Sequence, residues 1–203
     1  MEINPVTLTG KVVRLEPLSE AHAKDLFRVG LEKSIWKYMP NAAPQTEEDL
    51  MNWIREMLRR QACGSDLPFA AVLLANQQAV GATRYLDIRR QHRSLEIGGT
   101  WYGIDFQRTA VNTESKYLLL AYAFETLDCV RVQFKTDIRN LRSQRAIERL
   151  GAVREGVLRD HIIMTDGYRR SSVYYSILDG EWPAVKSALE EKLSRKYAPQ
   201  TQH

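Results

Sequence analysis

From Lys11 to Leu18, apolar Val12, Leu15 and Leu18 are set among polar positions, which predicts a strand. Ser19 then stands in N-cap position before a helix from Glu20 to Val29, closed by Gly30. Ile35-Trp36-Lys37-Tyr38-Met39-Pro40 reads as an aromatic-rich connection. Thr46 opens a second helix, in which Trp53, Ile54, Met57 and Leu58 recur at spacings of three and four. Phe69 to Ala75, Ala79 to Leu86 and Leu95 to Tyr102 are apolar or alternating segments joined by Asn76-Gln77-Gln78 and by Arg89 to Ser94, the pattern of an antiparallel meander. Thr113 to Leu127 contains the run Tyr117 to Phe124, apolar all around a helical wheel, which predicts a helix packed against a sheet on more than one side. Val130 to Thr136 predicts a strand, and Asn140 to Leu150 an amphipathic helix stopped by Gly151. Val153 to Met164 and Tyr168 to Leu178 flank Thr165-Asp166-Gly167, a hairpin turn. A last helix from Trp182 to Lys196 precedes a tail, Tyr197 to His203, expected to be loose.

These elements predict one mixed α/β domain over residues 1–203, with a mostly antiparallel central sheet of about seven strands flanked by helices. A chain of 203 residues, 44% apolar, buries a sizeable core, roughly 70% of its unfolded surface. No apolar run approaches the about 20 residues that span a bilayer, and residues 1–10 lack the basic start and apolar stretch of a secretory leader. A cytoplasmic protein starting near Met1 is therefore expected. The two cysteines, Cys63 and Cys129, and the four scattered histidines have no metal-ligand spacing, so neither a metal site nor a disulfide framework is expected. The net charge of +4 attracts anions of every kind without singling out nucleic acid. The basic clusters Arg89 to Arg93 and Arg169-Arg170 lack interleaved aromatic side chains on which bases would stack, so they read as solvated hairpin tips, with a nucleic-acid partner at the Arg89 to Arg93 tip as the alternative.

The segment from Thr100 to Glu114 runs from a strand end through a short loop into the N-terminus of the apolar helix. The first N–H groups of a helix lack internal partners and carry partial positive charge, so phosphate oxygens are received well there, and Arg108 adds a cation. Five further segments occur in a telling order: Val13-Arg14-Leu15-Glu16-Pro17-Leu18, Trp36-Lys37-Tyr38-Met39-Pro40, Leu95-Glu96-Ile97-Gly98, Asn140 with Ser143, and Glu148-Arg149-Leu150-Gly151-Ala152. With the element order, they make the chain from Val12 to Leu178 resemble the GNAT superfamily of acetyl-coenzyme A dependent N-acetyltransferases. Within it the chain is most similar to the branch that includes the ribosomal-protein alanine acetyltransferases, and Glu155-Gly156-Val157-Leu158-Arg159 also fits that branch.

The resemblance implies acetyl-CoA as cosubstrate, with CoA as product. Its pyrophosphate loop falls on Gln107-Arg108-Thr109-Ala110-Val111-Asn112, leading into Thr113, where Ala110 and Asn112 replace the usual glycines. Asn tolerates left-handed backbone and caps helices, so Asn112 is expected to serve in one of those ways. The resemblance places the main chain of Thr100, Trp101 and Tyr102 beside the acetyl group, Asn140 on the pantetheine arm, and Ser143 at the coenzyme sulfur as the acid that reprotonates the thiolate. Trp36, Tyr38 and Met39 are expected at the acceptor mouth. Glu96, pointing by strand parity with Gly98 and Thr100, is either the base that deprotonates the amine or one half of a structural ion pair.

The resemblance implies a primary amine as acceptor. The branch points to a protein or peptide N-terminal α-amine, with a small amine such as an antibiotic, polyamine or amino-acid conjugate as the alternative. The altered loop also leaves open a CoA-binding module without transfer. Cys63 and Cys129 fall outside the expected site, which argues for direct transfer rather than a thiol intermediate. The branch often pairs, so a homodimer is an expectation of the resemblance alone.

Overall fold

The structure, a computed structural model, describes residues 1–197, with side chains through residue 195. Apart from Tyr197, the expected loose tail lies outside the described residues. An eight-stranded sheet is built from β1 (Leu8–Thr9), β2 (Val13–Pro17), β3 (Leu67–Leu73), β4 (Ala79–Arg89), β5 (Ser94–Tyr102), β6 (Arg131–Asp137), β7 (Val153–Ile163) and β8 (Arg169–Leu178), in the order β1-β2-β3-β4-β5-β6-β8-β7. All neighbours are antiparallel except β5 and β6. The sequence pattern predicts about seven strands. The eighth, β1, has two residues, too few for any periodicity, and forms because the turn at Gly10 folds it back onto Leu15 and Arg14.

The helices are α1 (Ala23–Gly30), α2 (Lys33–Trp36), α3 (Glu47–Ala62), α4 (Ala110–Ala121), α5 (Leu141–Glu148) and α6 (Trp182–Tyr197). Most lie where the pattern predicts them. The aromatic connection at residues 35–40 contributes its first two residues to the extra short helix α2. The start of α3 is set by a reciprocal cap: Thr46 Oγ1 accepts from Asp49 N at 3.1 Å, and Asp49 Oδ2 accepts from Thr46 N at 2.9 Å. α4 begins three residues earlier than its apolar run, because Thr109 caps it, and its C-terminal end widens into a π-turn over Tyr122–Thr126.

Two apolar layers sandwich the sheet. On one face α4, α5 and α6 cover Val13, Leu15, Leu95, Ile97, Val132, Phe134, Val173 and Tyr175. On the other, α1, α2 and α3 cover Ala70, Val72, Ala79, Ala82 and Trp101. This second cover stops short of β6 and β8, whose side chains on that face are polar: Gln133, Lys135, Asp137, Arg170, Ser172 and Ser176 alternate with core residues. The wheel of α4 is less uniformly apolar than its central run, because Glu114, Ser115 and Lys116 are all buried. Glu114 accepts the backbone N–H groups of Lys11, Val12 and Val13 at 2.6, 2.8 and 2.7 Å, and a Cβ at Gly10 would collide with its carboxylate.

Candidate functional site

The parallel ladder between β5 and β6 runs only from Ser94↔Arg131 to Glu96↔Gln133. Beyond it the strands diverge, and on its other side β5 carries a bulge between the Arg84↔Gly98 and Ala82↔Trp101 pairs. Gly99, at φ +57°, supplies the left-handed residue that this bulge uses. The divergence opens a cleft of about 490 Å³ that reaches from the N-terminus of α4 to the opposite face of the sheet.

At one end lie the loop before α4 and the start of α5. The left-handed residue of the loop is Arg108, at φ +63°, and Thr109 is the N-cap, its Oγ1 accepting from Val111 N at 3.3 Å. The expectation that Asn112 caps the helix or takes the unusual backbone is therefore corrected. Ala110 and Asn112 both sit in the first turn with helical backbone, where neither needs glycine. Val111 is buried in the core, while Gln107, Arg108, Thr109, Asn112 and Thr113 line the cleft. Gln107 ties the end together, donating to Tyr102 O at 3.0 Å and accepting from Arg142 Nη1 at 2.6 Å. Asn140 caps α5 by accepting from Ser143 N at 3.0 Å, which aligns both residues along the cleft wall.

At the other end stands Glu96, 1% exposed, with Gln133 Nε2 at 3.0 Å and Lys135 Nζ at 3.2 Å from Oε2. Burial raises its pKa, and the Lys135 charge and the Gln133 hydrogen bond partly offset that. Strand parity does not carry Thr100 to the same side. The bulge turns Thr100 to the α4 face, where Lys116 Nζ donates to its Oγ1 at 2.5 Å and to Thr83 Oγ1 at 3.3 Å. Burial alone depresses the Lys116 pKa to about 7.

Tyr38 and Met39 line the cleft, with Ile35 and Trp53. Trp36 does not, contrary to expectation. Its Nε1 donates to Gly30 O at 2.7 Å and its ring packs against Trp101, centroids 5.0 Å apart, so it plugs the space under α1 and α3. Arg139 pairs with the buried Asp137 and lies over the Tyr168 ring at 3.5 Å and the Tyr38 ring at 5.7 Å, tying the α2–α3 loop to the β7–β8 hairpin. Neither cysteine lines the cleft: Cys63 is exposed and Cys129 is buried. Among the described residues no cluster of ligating side chains suits a metal ion, and no helix is long and apolar enough to cross a membrane.

Residues 13–153 match the acetyltransferase (GNAT) domain family. The chain belongs to the GNAT acetyltransferase family. Members of this family are acetyl-CoA-dependent N-acetyltransferases. A curated relative, the "Putative ribosomal N-acetyltransferase YdaF" of Bacillus subtilis (strain 168), is 32% identical over 116 residues, covering 57% of this chain. The chain spans 62% of that relative's length. A crystal structure described as a "putative acetyltransferase from T. thermophilus" is 39% identical, covers 95% of this chain and 100% of that one, and superposes with a TM-score of 0.86. The structure of Mycobacterium smegmatis RimJ in complex with CoA-disulfide shares the fold, with a TM-score of 0.79 at 20% identity over 93% of this chain and 95% of that one.

The cleft fits the family's cosubstrate on its own chemistry. Arg108 and Arg142 stand at the α4–α5 end and Arg149 lines the cleft from the far end of α5, cations that suit a pyrophosphate, and Glu96 is the one carboxylate among the described lining residues. Sequence reasoning missed Trp53, Lys116, Arg142 and Arg170 as lining residues. The first two sit in helical patterns that read as core, and Arg142 gave no local signal. Arg170 belongs to the Arg169-Arg170 cluster expected to be solvated, an expectation corrected by its 5% exposure, because β8 turns it onto the sheet face that lines the cleft.

Proposed function

We propose that this chain transfers the acetyl group of acetyl-CoA to a primary amine, foremost the N-terminal α-amine of a protein or peptide, by direct transfer in a ternary complex formed in the cytoplasm. The observation that carries this reading is the divergence of β5 from β6. It leaves the β5 backbone after Glu96 without a strand partner on that side, at the centre of a cleft with cations at its α4–α5 end. Acetyl-CoA supplies an activated thioester. The loop from Gln107 to Asn112, with Thr113, receives its phosphates on helix N–H groups, and Arg108 and Arg142 add charge-assisted bonds. Asn140 holds the pantetheine arm, and the backbone of Thr100, Trp101 and Tyr102 stabilises charge that develops on the carbonyl oxygen.

Glu96 takes a proton from the incoming ammonium through water, and its raised pKa suits that transfer. The neutral nitrogen then attacks the carbonyl carbon, and as the C–S bond breaks the Ser143 hydroxyl gives its proton to the departing sulfur. The extra proton on the new amide nitrogen passes through water to the Ser143 oxygen, so that serine is regenerated and Glu96 keeps the proton taken from the ammonium. Tyr38 and Met39 line the acceptor entrance. The peptide preference is supported by the naming of the curated relative as a ribosomal N-acetyltransferase.

Calorimetry with acetyl-CoA and CoA, followed by thiol release against N-terminal peptides and small amines, tests the reading. Binding with turnover on peptides supports it. Turnover on small amines alone moves the acceptor to that class, binding without turnover on any amine marks a binding module, and absence of binding overturns the reading.

A further inference from the structure

Arg170 is a cation at the acceptor end of the cleft that the transfer reaction does not use. It projects from β8 onto the polar face left open by α1–α3, is 5% exposed, and lines the same cleft as Glu96. Its Nη1 donates to the backbone oxygen of Tyr38 at 3.3 Å, which fixes the guanidinium under the α2–α3 loop. Its Nε is fully shielded, with no hydrogen-bond partner among the described residues and out of a ligand's reach, whereas Nη2 forms no hydrogen bond there and is not shielded, which makes it the donor open to the cleft. Arg170 forms no ion pair among the described residues either. Asp137 and Glu96 act on it only at longer range, since Asp137 bonds to Arg139 and Glu96 to Lys135. The remaining neighbours add no negative charge: His161 donates to or accepts from Ser172 and Tyr174, and burial together with Lys135 and Arg170 disfavours its cationic form.

A guanidinium fixed in a cleft wall with its Nη2 donor open and unbonded is a ready anion site, and a carboxylate matches its geometry. We infer that Arg170 is an anion subsite for the acceptor, so that the preferred substrate is an amine carrying a carboxylate a few bonds from the reacting nitrogen. The arrangement places the two acceptor charges against complementary groups. The ammonium faces Glu96 before deprotonation, and the carboxylate faces Arg170. In a peptide the carboxylate is an acidic side chain at the second or third position, and in a free amino acid it is the α-carboxylate. This deepens the proposed transfer to a primary amine and rests on it.

The test compares peptides that differ only as Asp against Asn, or Glu against Gln, at positions two and three, with free amino acids and their amides as a separate arm. Thiol release should favour the carboxylate member by at least about ten-fold in kcat/KM, through KM. Arg170→Gln, which keeps a donor toward Tyr38, should bring that ratio to about one, and Arg170→Lys should restore part of it. Preference within the peptide arm or the amino-acid arm tells which source supplies the carboxylate. Binding of Nα-acetylated peptides, followed by tryptophan fluorescence, reads the subsite without turnover. Equal binding and equal turnover of carboxylate and amide members, or a preference that survives in Arg170→Gln, overturns the subsite. Tighter binding of carboxylate members with no turnover of any amine keeps the subsite and overturns the transferase reading instead.

Discussion

At the residue scale, the environment sets what each polar side chain can do. Ser143 occupies the third position of α5, where its N–H is satisfied by Asn140 and its hydroxyl is left to the cleft. Ser143→Ala should lower kcat by about 10²-fold while leaving acetyl-CoA binding by calorimetry nearly unchanged, the signature of a lost general acid. Glu96 has its pKa raised by burial, and a base works only when ionised, so activity should climb as pH rises through that raised value. Glu96→Gln should abolish this climb in the pH profile of kcat/KM, and a profile identical to the parent's would assign Glu96 to its ion pair with Lys135 alone. Lys116 offers a stability test. Its folded pKa of about 7 lies below the unfolded value, so between pH 7 and 9 the unfolded chain binds more protons and stability rises with pH. Urea midpoints should show that rise, and Lys116→Met should flatten it.

At the scale of elements, the start of α4 is held from two sides. Thr109 caps the helix, and Glu114, one turn in, gathers three backbone N–H groups from the start of β2. Hydrogen bonds to an ionised acceptor are stronger than neutral ones, so Glu114→Ala should cost about 3 kcal/mol or more by denaturant unfolding. The same change should remove hydrogen-exchange protection at Lys11 to Val13 first. The order and type of the elements were legible because long apolar periodicities persist in the fold. β1 was not, since its pairing depends on Gly10 passing close to a carboxylate more than a hundred residues away. Nor was the β5 bulge, which reversed the side to which Thr100 points and so separated it from Glu96.

At the scale of the whole molecule, a modest net charge of +4 becomes a concentrated field, because the cleft gathers cations from several separate elements and the loop before α4 around a single carboxylate. Coenzyme affinity should therefore fall several-fold as salt is raised from about 0.05 to 0.5 M, measured by calorimetry, with Arg142→Ala showing a shallower dependence. The α1–α3 cover ends before β6 and β8, so one part of that sheet face is core and the other a polar surface from which Lys135 and Arg170 reach the cleft. Composition carries no trace of that division.

The sequence by itself determined the mixed α/β class, the order of helices and strands, the family resemblance and the segment from Thr100 to Thr113, of which residues 100–102, 107–109, 112 and 113 line the cleft, because each is written in local periodicity, capping residues or contiguous motifs. Tertiary structure alone decided which of the aromatics reach the cleft, that Trp36 is a plug while Trp53 lines it, and that Arg170 lines the same cleft as Glu96 with Nη2 unbonded among the described residues. Those outcomes depend on where two strands part and on a one-residue bulge, and neither distance nor sidedness between remote segments is encoded in the spacing along a chain.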